Sequence, residues 1–258
     1  MVSEKIQFSG SAGDLLTARL DFPDGEPAAW VLFAHCFTCS KDLKAVVNLS
    51  RALNGAGLAV MRFDFTGLGE SEGDFADTSF ASNVDDLVAA SRYLAEEHAA
   101  PKILVGHSLG GAAVLQAAAE VPAAVAVATI GAPADPAHVT HLLTGAIDDI
   151  RRDGEAEVML AGRRFRIGEK FLDDLEETKQ NERIGSLDRA LIIFHSPVDM
   201  IVGIENAARI YATARHPKSF ISLDQADHLL TDPSDASYVG EVLAAWARKY
   251  IPECRTRG

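Results

Sequence analysis

Lys102-Ile103-Leu104-Val105-Gly106-His107-Ser108-Leu109-Gly110-Gly111-Ala112-Ala113-Val114-Leu115-Gln116-Ala117-Ala118 sets a short apolar run, a glycine-flanked serine and a helix-forming run in succession. Lys102 to Val105 is too short for a helix and reads as a buried strand, whereas the Ala- and Leu-rich run after Gly111 favours helix. The Gly106-His107-Ser108-Leu109-Gly110 junction fits a G-x-S-x-G pattern. That pattern alone is weak in a chain with 20 glycines, and the strand–turn–helix setting is what gives it meaning. Gly106, Gly110 and Gly111 remove side chains where the turn brings helix and strand together. Ser108 then stands at a helix N-terminus, where unpaired amides and the dipole favour developing negative charge. The competing reading is a plain helix-capping serine; the glycines on both sides favour a nucleophile.

Working outward, further short apolar runs alternate with helical spacing. Trp30 to Ala34, Ala59 to Phe63, Val125 to Ile130, Leu191 to Phe194 and Ser219 to Leu223 read as strands. Val46, Leu49 and Leu53, then Val84, Leu87, Val88 and Leu94, fall at helix spacing. Ahead of them, Lys5 to Phe8 and Leu15 to Asp21 read as an antiparallel hairpin. The pattern predicts one α/β domain over residues 1–258 with about eight strands, mostly parallel and flanked by helices. Residues 136–187 break the rhythm with dense charge and no buried-strand run, and read as an inserted lid. Within them, Glu155 to Leu160 and Arg163 to Ile167 suggest a small hairpin around Ala161-Gly162.

A serine hydroxyl needs a base. Of eight histidines, His107 lies in the turn itself, His35 and His195 end buried strands, and His138 and His141 fall in the inserted segment. His98 and His216 read as surface residues. His228 follows the last strand, in Asp224-Gln225-Ala226-Asp227-His228-Leu229-Leu230, where catalytic groups of open α/β sheets gather. Asp199 follows the Leu191–Phe194 strand and completes the order Ser, Asp, His. Asp135, after the preceding strand, is its rival, and Asp227 reads as a loop cap. Acyl transfer also needs amides aimed at the oxyanion. Leu109 supplies one, and Phe37, in the loop after the Trp30–Ala34 strand, is the expected second, its ring also lining an acyl pocket. Phe75 and Phe80 are further candidates for that pocket.

These residues resemble the α/β-hydrolase superfamily over nearly the whole chain. Asp64-Phe65-Thr66-Gly67-Leu68-Gly69-Glu70-Ser71 is similar to that family's D-x-x-G-x-G-x-S loop. Cys36-Phe37-Thr38-Cys39-Ser40-Lys41-Asp42-Leu43-Lys44 resembles a narrower bacterial group, serine-aminopeptidase-like or esterase-like domains often fused to an OsmC-like domain. The resemblance implies the α/β-hydrolase fold. Two departures stand out: the 258 residues include no OsmC-like partner, and the usual His-Gly of the oxyanion loop is His35-Cys36.

Thirty-seven acidic against 24 basic residues give a net charge of −13. Such a surface disfavours nucleic acid and anionic membranes as partners. Three cysteines are no disulfide framework and fit a reducing compartment; with no leader sequence evident, a cytoplasmic monomer or homodimer is expected. Cys36 and Cys39 form a C-x-x-C pair, so a redox protein is a competing class, as is a non-catalytic binding module. Gly67, Gly69 and Gly73 miss the dinucleotide spacing, and no Walker A lysine motif occurs. The expected chemistry is therefore a serine hydrolase, a carboxylesterase acting on small acyl esters, with thioester or peptide substrates as alternatives. It requires no cofactor or metal, and activity is expected to fall as pH drops through the histidine range near ~6.5.

Overall fold

The two amino-terminal runs form an antiparallel hairpin, β1 (Val2–Ser9) and β2 (Leu15–Phe22), in register from Val2 against Phe22 to Ser9 against Leu15. The computed structural model describes residues 2–36, 39–143, 145–160 and 163–251. The remaining strands are β3 (Ala29–Ala34), β4 (Leu58–Phe63), β5 (Ile103–His107), β6 (Ala126–Ile130), β7 (Glu155–Leu160), β8 (Arg163–Gly168), β9 (Ala190–His195) and β10 (Lys218–Ser222). One sheet of eight strands has the order β1-β2-β4-β3-β5-β6-β9-β10, while β7 and β8 pair separately. Every pairing from β4 to β10 is parallel. This is the predicted mostly parallel α/β sheet.

The helices are α1 (Lys44–Gly55), α2 (Phe80–Glu97), α3 (Leu109–Ala117), α4 (Ile147–Asp153), α5 (Glu169–Glu177), α6 (Gln180–Gly185), α7 (Glu205–Thr213) and α8 (Pro233–Ala247). Alternation along the strands divides them between two layers. Trp30, Leu32 and Ala34 of β3 face one core with Leu87 of α2 and Val114 of α3. Val31 and Phe33 face the other, with Leu49 and Leu53 of α1 and Val239 and Leu243 of α8. Burying each such Leu or Phe contributes about 1.5–3 kcal/mol, so both faces are held. Capping places the helices: Ser79 accepts from the Ser82 amide at 3.1 Å, and the Ser82 hydroxyl accepts from the Ser79 amide at 2.8 Å.

The chain leaves β3 to one side for β4 and returns as β5 on the other side. Loops at the C-terminal ends of β3 and β5 therefore diverge and leave a crevice. The predicted hairpin within the inserted segment is present, from Glu155 against Gly168 to Leu160 against Arg163. The segment is docked rather than projecting. Val158, Phe165 and Ile167 of the hairpin and Phe171, Leu172 and Leu175 of α5 belong to the same core as α2 and α3. Phe75 packs 5.6 Å from Phe171 and 6.3 Å from Phe165. A Cβ at Gly168 would meet the Ala76 carbonyl at 2.4 Å, so only glycine lets the hairpin approach this closely. Among the described residues no helix is long and apolar enough to cross a membrane.

Candidate active site

Ser108 occupies the single residue between β5 and α3, with φ 54° and ψ −125°. A non-glycine residue there is strained, and such strain persists only where the surroundings hold it. Here the Ser108 amide donates to Ile130 O at 2.8 Å and its carbonyl accepts from the Gly111 amide at 2.8 Å. The three glycines do what the sequence requires of them. A Cβ on Gly106 would lie 2.2 Å from Gly110 O, one on Gly110 2.4 Å from Ala34 O, and one on Gly111 2.5 Å from the Ala132 Cβ.

His228 and Asp199 converge on this serine. His228 Nε2 lies 3.0 Å from Ser108 Oγ, and its Nδ1 donates to Asp199 Oδ2 at 2.7 Å. Asp199 Oδ1 accepts from the amides of Ile201 and Val202, each at 2.9 Å. Burial raises the Asp199 pKa, but the hydrogen bond and charge of His228 and these two amides outweigh it, leaving the carboxyl below its ordinary range. Asp135 instead accepts from the Ala137 amide at 3.0 Å and caps the 3₁₀ stretch Pro136–Leu143. Asp227 receives the Thr231 amide at 2.9 Å and the Thr231 hydroxyl, as a loop cap.

Two residues at the site were missed by the sequence reading. Gly131, directly after β6, has φ 54°, and a Cβ on it would lie 3.2 Å from Asp199 Oδ2 and 3.3 Å from His228 Nδ1. A glycine at a strand end was the available signal. His107 lies beside His228: its Nε2 donates to His228 O at 2.6 Å. Burial, then repulsion from the His228 imidazole, lowers the His107 pKa to about 3, so it stays neutral. Buried His195 is likewise lowered, chiefly by burial, and its Nε2 donates to Val202 O at 2.7 Å.

Leu109 begins α3, so its amide falls among those a helix leaves without an internal partner. Phe37, the other expected donor, lies outside the described residues. The described residues on either side are held by hydrogen bonds. His35 Nδ1 donates to Cys36 O at 2.7 Å, and the Lys41 amide donates to Asp64 Oδ1 at 2.7 Å. Lys41, 1% exposed, also donates through Nζ to Asp64 Oδ2 at 2.8 Å and Glu70 Oε2 at 2.5 Å. Burial lowers the Lys41 pKa, but these acids outweigh it and raise it overall; the hydrogen bond from Lys41 draws Glu70 down to about 2. Arg62 donates to Lys41 O at 2.5 Å and to Asp21 Oδ2 at 2.7 Å. Asp64 and Glu70 are the first and seventh residues of the D-x-x-G-x-G-x-S loop. A Cβ on Gly69 would meet the Asp64 carboxylate at 2.2 Å, which explains that glycine. Cys36 and Cys39 are joined by a disulfide, with Cα atoms 5.2 Å apart, a local bridge rather than a framework. The pair lies beside His107: the two Sγ atoms and one His107 ring nitrogen are all within 4.8 Å of one another. Phe75 and Phe80 are buried in the core; Phe80 borders, with His35, Phe65 and Leu109, a crevice of about 10 Å³, room for a water and not for an acyl chain.

A serine on a strained strand-to-helix turn, meeting a histidine and an aspartate from later strand ends of a doubly covered sheet, places the protein in the α/β-hydrolase class. Residues 31–255 match the Alpha/beta hydrolase family, and the chain belongs to it. The esterase domain of a Rhodothermus marinus protein is 54% identical, with TM-score 0.81 over 98% of this chain and 100% of that one. Est1E of Butyrivibrio proteoclasticus bound to ferulic acid shares the fold at 20% identity, TM-score 0.77, over 95% of this chain and 99% of that one. The rat (Rattus norvegicus) palmitoyl-protein thioesterase ABHD10, mitochondrial, is 34% identical over 101 residues, 39% of this chain. The matched stretch spans 33% of that protein's length, and 53% of Salmonella typhimurium YfhR, a further relative at 27% identity over 65% of this chain.

Proposed function

We propose that the protein is a serine carboxylesterase that cleaves small acyl esters through an acyl-enzyme on Ser108. The observation that carries this reading is the hydrogen-bonded chain from Asp199 through His228 to Ser108, at 2.7 and 3.0 Å. His228 Nε2 takes the Ser108 proton as Oγ attacks the ester carbonyl, while Asp199 holds the tautomer and balances the imidazolium. The amides of Leu109 and Phe37 receive the oxyanion. Collapse expels the alcohol with the proton from His228, and water, activated by the same imidazole, releases the acid. In this reading residues 136–187 act as a lid; their Pro136–Leu143 stretch packs against α3, whose first residue is Leu109. The Rhodothermus marinus esterase domain supports the choice of esters.

A second reading, thioester hydrolysis, draws on the local similarity to the rat thioesterase. Both are tested with p-nitrophenyl acetate, butyrate and octanoate beside the matching S-acyl thioesters, using wild type and Ser108→Ala. The expected result is turnover of the esters with a loss of roughly 10⁴-fold or more in Ser108→Ala. A higher kcat/KM for the thioesters moves the assignment to the second reading. Inactivity on both series, with no labelling of Ser108 by a fluorophosphonate, overturns the hydrolase reading.

A further inference from the structure

Cys36, Cys39 and His107 take no part in the reaction above, yet they form a cluster. They are 3%, 8% and 4% exposed, and their two sulfurs and one imidazole nitrogen lie within 4.8 Å of one another. Two thiols at C-x-x-C spacing with an imidazole make a soft nitrogen–sulfur donor set. Tetrahedral Zn–S bonds of ~2.3 Å would hold the two sulfurs roughly 3.8 Å apart, a separation within the span of the cluster once the disulfide opens. Burying a dication requires compensating charge, and two thiolates supply it in full.

The tautomer is already set. A carbonyl oxygen only accepts, so His107 Nε2 carries the proton it donates to His228 O at 2.6 Å, and Nδ1 keeps its lone pair. A ligating histidine with its other N–H on a backbone carbonyl is the recurrent supporting arrangement at metal sites.

The geometry points to Cys36, Cys39 and His107 as a site for one soft divalent ion, zinc by chemistry, that exists only in the dithiol state and leaves a fourth position open. An external dithiol gives two electrons and two protons to the Cys36–Cys39 bond and is itself oxidised to a disulfide. The incoming ion then displaces both thiol protons and is held by two thiolates and the imidazole. Occupancy ties the loop after β3 to the turn at Ser108 and, through His107, to the loop carrying His228. Slowed ester turnover in the zinc-loaded reduced protein is a consequence that rests on the proposed function; binding does not.

The test uses the full chain reduced with dithiothreitol, desalted without air and titrated with Co(II). Readouts are the thiolate-to-cobalt charge-transfer absorption and protection of Cys36 and Cys39 from alkylation, mapped by peptide mass. One Co(II) per chain, displaced by Zn(II) and absent after diamide oxidation, is expected. Affinity should fall at least about 100-fold in Cys39→Ser and about 10-fold or more in His107→Gln. A reduced wild type with no charge-transfer band, or one that binds no better than its own oxidised form, overturns the site. That comparison needs no variant to fold, and a protein inactive on every ester would leave it intact.

Discussion

His107, the residue before Ser108, donates its Nε2 proton to the backbone carbonyl of His228, and the two rings lie 5.1 Å apart. The turn that carries Ser108 thus supports the loop that carries His228. Replacing His107 by Leu leaves a part-buried carbonyl without its donor, a cost of about 1 kcal/mol. We expect kcat on p-nitrophenyl butyrate to fall about 10-fold with KM nearly unchanged, and His107→Gln, which keeps an N–H, to lose less. Equal losses in the two variants would remove the donor from the explanation.

Burial makes the same histidine a source of acid sensitivity. An unfolded histidine titrates near ~6.5, whereas folded His107 is held down to about 3. Between those values the unfolded chain binds a proton that the native one does not, so stability falls as pH falls. His195 acts in the same direction. Asp199, lowered instead, keeps its contribution above the ordinary Asp range near ~3.9 and loses it only as pH falls through its own lower value. Urea unfolding at about pH 7.5 and about pH 5 should show a drop of at most ~1.4 kcal/mol per pH unit from each histidine. His107→Gln should flatten that slope; an unchanged slope would contradict the assignment.

Asp199 and Asp135 both follow strand ends, and the structure separates them by partner. Asn at position 199 loses the acceptor that fixes the His228 tautomer, and kcat should drop roughly 10³- to 10⁴-fold. Asp135→Ala removes the capping acceptor for the Ala137 amide and should change kcat less than about 2-fold, with a stability loss of ~1 kcal/mol. A larger effect on turnover at 135 than at 199 would reverse the two roles.

What the sequence made legible was local. Lys102 to Ala118 carries strand, turn and helix in one continuous run, and the alternation of Trp30, Leu32 and Ala34 against Val31 and Phe33 assigns both faces of a buried strand. The residues that the reading missed act across long separations. His107 reaches a carbonyl 121 positions away, and Gly131 matters because two side chains from other strand ends crowd the space a Cβ would take. Lys41 carried no signal of burial in the sequence; its burial follows from Asp64, which β4 brings beside the loop after β3. Val158, Phe165 and Ile167 were read as a hairpin but not as core, because an alternating strand declares one apolar face without naming what covers it. Phe75 looked like a pocket aromatic and instead packs on Phe165 and Phe171 in that interface.

Gly131 gives a sharp steric test. Alanine there must adopt φ 54° and place its Cβ 3.2 Å from Asp199 Oδ2 and 3.3 Å from His228 Nδ1. Backbone strain costs on the order of 1 kcal/mol, and the displaced imidazole loses alignment with Ser108. We expect Gly131→Ala to remain folded, to lose ~1–2 kcal/mol in urea unfolding, and to lose at least about 10-fold in kcat. Full activity would mean that the Asp199–His228 pair tolerates a shift that its hydrogen bonds argue against.

Lys41 offers the corresponding electrostatic test on the other side of the serine. Asp64 has no exposed surface, and Lys41 gives it both an amide and an ammonium. Lys41→Met strands that carboxylate, a change that costs about 3–5 kcal/mol when a buried pair loses one member. Asp64→Asn removes the charge instead, so in the double variant the methionine no longer faces an unpaired anion. The double variant should therefore be more stable than the sum of the single losses predicts, by roughly 1–3 kcal/mol in a double-mutant cycle. Because the pair anchors the loop that carries Phe37, kcat should fall in each variant by a larger factor than KM rises. Strict additivity of the two single changes would mean that Lys41 holds the loop through its backbone alone, and that the buried ion pair adds nothing to it.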